Sequence, residues 1–139
     1  MKLQKKLCRM IAVALLAINM MVLPVLAADE VVTCVEPRYN NVFSATLALG
    51  FDSNHVAYCE LSLNPYANCT GFDGIMRLYD STGTQLKSWS ISDYDSPYCV
   101  EKTWQCKYGE TYTLSFQGYA YGTGSTYDDI NLSLSDICD

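Results

Sequence analysis

Apolar and polar residues alternate one by one through most of this chain. That period of two fits half-buried β-strands and leaves little room for helices. In "NVFSATLALGF", Phe43, Ala45, Leu47 and Leu49 share one parity, and Ser44 and Thr46 the other. In "HVAYCELSL", Ala57, Cys59, Leu61 and Leu63 face inward, with Tyr58, Glu60 and Ser62 outward. Met76 and Leu78 oppose Arg77 and Tyr79 in "GIMRLYD", and Trp89 anchors "TQLKSWSIS". "YCVEKTWQC" supplies a further strand, and "GETYTLSFQGYAYGTGSTYDDINLSLS" the last two. In that final pair Tyr112, Leu114, Phe116, Ile130, Leu132 and Leu134 form the core face, and Tyr119 and Tyr121 the outer face. Thr, Tyr, Val and Ser suit a pleated surface. The segments between are turn-formers: "FDSN", "NPYANCTGFDG", "DYDSP", and "DSTG", where Gly83 accepts positive φ.

Seven short strands with polar turns predict one all-β domain, a seven-stranded antiparallel β-sandwich of immunoglobulin-like type over 42–139. An up-and-down or jelly-roll order is the alternative. Residues 28–41, "ADEVVTCVEPRYNN", read as an irregular leader because of Pro37 and the Asn pair.

Residues 1–27 read as a secretory signal peptide. Lys2, Lys5, Lys6 and Arg9 precede an apolar run from Ile11 to Leu23, and Val25 and Ala27 are the small residues of a cleavage site. The run is shorter than the roughly 20 residues of a membrane-spanning helix. The expected product is secreted, either free in the medium or associated with the cell surface, with no membrane insertion after cleavage. Those four basic residues belong to the signal and all 15 acidic residues follow it, so net charge passes from −6 to −10 on removal. That balance argues against nucleic acid and anionic lipid, both of which need a basic face.

Six cysteines follow the signal: Cys34, Cys59, Cys69, Cys99, Cys106 and Cys138. An even number in a short exported chain predicts disulfides, and the absence of a C-x-x-C pair weighs against zinc. Strand direction puts Cys106 and Cys138 at one end of the sandwich, the natural pair. Of the three pairings left, Cys59–Cys99 with Cys34–Cys69 is preferred, because the second and fifth strands are neighbours in an immunoglobulin-type sheet.

Catalytic signals are weak. His55 is the one histidine, and no G-x-S-x-G elbow occurs. Asp93 with Asp95, and Asp128 with Asp129, are carboxylate pairs of the sort glycosidases use, but aspartate is also the common turn residue. The same aspartates leave room for a calcium ion, although no complete calcium loop is present. The reading is therefore of a non-enzymatic protein with no required cofactor, a hydrolase being the weakest alternative. Tyr119, Tyr121 and Tyr127, beside the small residues of "GTGST", are the candidate ligand contacts. Exposed tyrosine offers area and a hydroxyl at low entropic cost, to an extracellular protein or a glycan. Ordinary cross-strand packing is the competing account of them. Asn68-Cys69-Thr70 and Asn131-Leu132-Ser133 are glycosylation-type sequons.

"EPRYNN", "GIMRLYDSTGTQLKSWS" and "GETYTLSFQGYAYGTGS" together resemble the small secreted β-sandwich proteins of Gram-positive gut bacteria, a class filed as domains of unknown function. The strand–turn–strand "GIMRLYDSTG" and the later "GETYTL" are also similar to β-sandwich domains appended to secreted bacterial peptidases. The resemblance implies a small exported β-sandwich; the leading reading, an extracellular binding or interaction module with a structural accessory protein as the alternative, rests on the final loop and its tyrosines. The resemblance implies no catalytic residue.

Overall fold

The alternating stretches form strands whose apolar parities meet face to face. The computed structural model describes residues 31–37, 39–93 and 98–139, with backbone alone for 34–37 and 93. The signal segment 1–27 and Asp95 lie outside the described residues. Eight strands follow in order: β1 (Val32–Pro37), β2 (Val42–Phe51), β3 (Val56–Pro65), β4 (Cys69–Tyr79), β5 (Gln85–Asp93), β6 (Tyr98–Gln105), β7 (Thr111–Gly122) and β8 (Tyr127–Ile137). They make two antiparallel four-stranded sheets, ordered β1-β2-β3-β6 and β5-β4-β7-β8.

The eighth strand is β1, in the stretch expected to be irregular. It pairs along β2 from Val32↔Leu49 to Pro37↔Ser44. Pro37 ends an edge strand, where its missing N–H costs little. Apart from β1, the second and fifth predicted strands (β3 and β6) are neighbours as expected, while the fourth (β5) sits beside β4 in the other sheet.

Between the sheets lies one core. Leu47, Leu49, Leu61 and Leu63 from one sheet meet Met76, Leu78, Leu114 and Ile130 from the other, all fully buried. Each such side chain contributes about 1.5–3 kcal/mol by leaving water. Phe43 departs from its expected parity and is 58% exposed, while Val42 is buried. The cause is a register shift between Val42 and Ser44 against β3, which turns one residue of β2 over.

The turns are built by aspartates. The Asp80 carboxylate accepts from the Thr82 hydroxyl at 2.6 Å and from the backbone N–H groups of Thr82 and Thr84 at 2.9 and 3.0 Å, beneath Gly83 at φ 81°. Asp52 accepts from the N–H groups of Asn54 and Val56, both at 2.9 Å. The Thr82 hydroxyl in the first case, and the Val56 N–H in the second, lead in holding these carboxyls below their ordinary range.

The predicted pairing of Cys59 with Cys99 is absent. Cys59 lies opposite Lys102 and Cys99 opposite Ser62, three residues apart along adjacent strands and therefore on opposite faces. Cys59, Cys69, Cys106 and Cys138 carry free thiols, so neither the expected Cys34–Cys69 pairing nor the expected Cys106–Cys138 pairing is formed. Cys99 is disulfide-bonded, to none of these four.

Candidate functional site

On the solvent face of the second sheet, β4, β7 and β8 lay their outward residues in rows. Gly71, Tyr121 and Tyr127 form one row; Asp73, Tyr119 and Asp129 the next; Ile75, Gln117 and Asn131 the third. Strand parity sends Gly118 and Ala120 inward and leaves Tyr119 40%, Tyr121 37% and Tyr127 63% exposed. Tyr121 and Tyr127 flank the β7–β8 turn, closed by the Gly122 N–H donating to the Thr126 carbonyl at 2.8 Å. Gly124 and Ser125 inside that turn have φ of 74° and 62°, the left-handed backbone such tight hairpins require.

Tyr119 makes ring contact with both of the others. Tyr119 and Tyr121 have centroids 6.5 Å apart and planes 37° apart, and Tyr127 meets Tyr119 edge-on at 5.6 Å and 80°. The Tyr121 hydroxyl donates to the Asp73 carboxylate, at 3.2 Å to Oδ2 and 3.3 Å to Oδ1. Asn131 Nδ2 donates to Asp129 Oδ1 at 2.7 Å. Tyr119 is thus set between two carboxylates whose orientations are fixed by neighbours. The arrangement offers ring faces and hydrogen-bond acceptors.

Behind this face the backbone is anchored by a buried polar cluster. Asp128, only 5% exposed, accepts from the N–H groups of Asn40 at 3.0 Å and Asn41 at 2.6 Å. Asn41, fully buried, donates from Nδ2 to the Ala120 carbonyl at 3.4 Å and accepts at Oδ1 from Asn68 Nδ2 at 2.9 Å and the Thr126 hydroxyl at 3.3 Å.

The structure gathers Tyr119, Tyr121 and Tyr127, as strand parity and the turn imply. It separates Asp128 from Asp129: one points into the sandwich, the other out, so they are no carboxylate pair. The Asp93–Asp95 pair lies outside the described side chains. Among the described residues no three His, Cys, Asp or Glu side chains stand together so as to hold a metal ion. His55 sits in the β2–β3 turn at φ 58°, its ring 5.4 Å from that of Tyr108 and its Nδ1 buried without a partner.

Cys106 and Cys138 do share one end of the sandwich. The Gly109 N–H donates to the Cys138 carbonyl at 2.6 Å, and the Cys138 N–H to Glu110 at 3.0 Å. Burial, then Cys138, raises the Cys106 thiol to about 11; burial, then Cys106 and Glu101, raises Cys59 to about 12.

Sequence reading missed Asp73 as the partner of Tyr121. Its signal was its odd parity beside inward Phe72 and Met76. It also missed a second exposed aromatic contact, Phe43 with Tyr66 at 5.9 Å and 87°, on the other sheet. A depression of about 440 Å³ lies at the far end of β4 from the tyrosines. Its one charged group, Asp80, is spent on its own turn.

No family model matches the chain, and no curated protein does. Among solved structures, an endonuclease/exonuclease/phosphatase from Beutenbergia cavernae DSM 12333 is similar at TM-score 0.37 and 16% identity, over 67% of this chain and 23% of that one. The chain therefore spans under a quarter of that protein's length, and a likeness this slight carries no argument about fold or activity.

Proposed function

We propose that the protein is a secreted, non-enzymatic binding module of the bacterial exterior, meeting an extracellular partner through Tyr119, Tyr121 and Tyr127. The observation that carries this reading is the clustering of three exposed tyrosines on one sheet face, Tyr119 in ring contact with both Tyr121 and Tyr127. Isolated surface tyrosines need no explanation; a contiguous set at the end of a sheet is contact chemistry. The charged start and apolar run of residues 1–27 support export. The immunoglobulin-like description extends the observed order, in which β3 neighbours β6 and β4 neighbours β7. Disulfide stabilisation narrows to Cys99, since Cys106 and Cys138 are free thiols.

The test is retention of envelope fragments from Gram-positive bacteria on immobilised protein. Wild type is compared with the triple variant Tyr119→Ser, Tyr121→Ser, Tyr127→Ser, matched for urea midpoint. At least a tenfold loss of retention is expected. Equal retention by both would refute the tyrosine surface, and no retention by either would leave a structural accessory protein.

A further inference from the structure

Resting on that reading, we infer that the ligand is a linear neutral polysaccharide lying along β7, with sugar rings on Tyr119 and Tyr121 and hydroxyls donating to Asp73 and Asp129. A sugar ring has an apolar C–H face and a rim of hydroxyl donors. The rows on this sheet present the complement: ring faces 6.5 Å apart, and carboxylates in register on both sides of Tyr119. Among the described residues each carboxylate takes one internal donor, from Tyr121 or Asn131, which fixes its orientation. An ionised carboxylate has about four acceptor sites, so capacity remains for incoming hydroxyls.

Charge selects among saccharides. Asp73 and Asp129 face solvent here, and Arg77, two residues along β4 from Ile75, is the sole basic side chain among the described outward positions of β4, β7 and β8. Uronic acids, sulfated sugars and phosphates would meet net repulsion. A peptide fits less well. Peptides add to sheet edges or seat apolar anchors in grooves. Here β4 and β7 are interior strands with both sides paired, and Ile75 is the one aliphatic side chain in the three rows.

Shape argues for a chain rather than a single sugar. The patch is open. Outward positions continue from Tyr121 through Gln117 and Ser115 to Thr113, eight steps along the strand, or about 27 Å at strand rise. Ser115 and Thr113, with Ser133 and Ser135 opposite them on β8, line that continuation, and Ile75, Arg77 and Tyr79 flank it on β4.

The experiment is affinity electrophoresis of the full protein in gels cast with glucan, mannan, galactan, xylan or polygalacturonate. In parallel, envelope fragments are treated with periodate, which cleaves vicinal diols, or with protease before retention. Tyr119→Ala and Asp129→Asn are run beside wild type, each first shown to keep its urea midpoint. Retardation by at least one neutral polysaccharide, weakened tenfold or more in Tyr119→Ala and about threefold in Asp129→Asn, is the expected result. Retardation by polygalacturonate alone would overturn the neutral assignment. Tyrosine-dependent envelope retention that survives periodate and is lost to protease would overturn the glycan while leaving the binding surface intact. Retention indifferent to Tyr119 would overturn both.

Discussion

Asp128→Asn is the substitution with the sharpest structural consequence. The carboxylate is 5% exposed and accepts two backbone N–H bonds, from Asn40 at 3.0 Å and Asn41 at 2.6 Å. An amide of the same shape offers one acceptor oxygen. Its NH2 must face the second N–H, donor against donor. One charge-assisted bond, about 1.5–3 kcal/mol, is weakened to a neutral one, and one buried N–H is left unsatisfied at about 1–3 kcal/mol. The expected loss is about 3 kcal/mol. For a domain of this size, that is a drop in Tm of roughly 10–15 °C. Asp129→Asn is the control: one residue along, exposed on the opposite face, it should stay within about 0.5 kcal/mol of wild type. Urea melts of the three proteins at pH 7 read the difference. Equal midpoints for Asp128→Asn and Asp129→Asn would refute the assignment of Asp128 as a buried backbone acceptor, and with it the inward parity of the start of β8.

Four further outcomes follow from the geometry. Glu60 and Glu101 are directly opposed on β3 and β6, and burial first, then Glu101, raises the Glu60 carboxyl. A raised carboxyl makes a contribution that is full below its unfolded value near 4.5 and is lost as pH rises through the folded value, so Glu101→Gln should stabilise by about 0.5 kcal/mol at pH 7 and by nothing measurable at pH 3, in paired urea melts. Gly118→Ala should cost about 2 kcal/mol or more, read as urea midpoint, because a Cβ would stand 2.6 Å from the Phe116 ring and strike the Asp73 carbonyl. In reduced native protein at pH 8, mass spectrometry after iodoacetamide should find Cys69, half-buried, labelled before Cys59, fully buried with its thiol raised to about 12; the reverse order would contradict the placement of Cys59 in the core. Non-reducing peptide mapping should find Cys99 in a disulfide and Cys106 and Cys138 unpaired, and a Cys106–Cys138 bridge would refute their assignment as free thiols.

Which of these features could be read without the structure depended on whether they arise within a strand or between strands. The inward faces of β3, β4, β7 and β8 are local: side-chain direction alternates residue by residue, so Ala57 to Leu63 and Tyr112 to Ala120 follow from spacing alone. The outward Tyr119 and Tyr121 are the other half of that pattern. The same parity held the answer for Asp128, which shares it with Ile130, Leu132 and Leu134, but aspartate in a loop-like context masked it. Phe43 was not legible, because a register shift belongs to the pairing of β2 with β3 rather than to β2. Nor was the face of Cys99 relative to Cys59. The strands were correctly expected to be neighbours, yet the three-residue offset that puts the sulfurs on opposite faces is a register fact. Asp73 joins Tyr121 across 48 residues of sequence, a contact that exists only once β4 lies beside β7.

The buried and exposed halves of the last hairpin are consequently one device. Ala120 lies opposite Asp128 in register, between the two tyrosines, and its carbonyl accepts from Asn41. Two residues on, Asn41 fills the space a side chain at Gly122 would need. The backbone from which Tyr119 and Tyr121 project is therefore held from behind by a carboxylate and an amide that also pin the Asn40–Asn41 turn entering β2. A surface of exposed rings on an unsupported hairpin would lose rotamer and backbone freedom on binding, at about 0.5–1.5 kcal/mol for each immobilised side chain. Here much of that ordering is done on folding, by the Asp128–Asn41 cluster inside and by Asp73 and Tyr127 outside. Loosening the cluster should thus weaken ligand retention as well as stability, although neither Asp128 nor Asn41 faces the ligand.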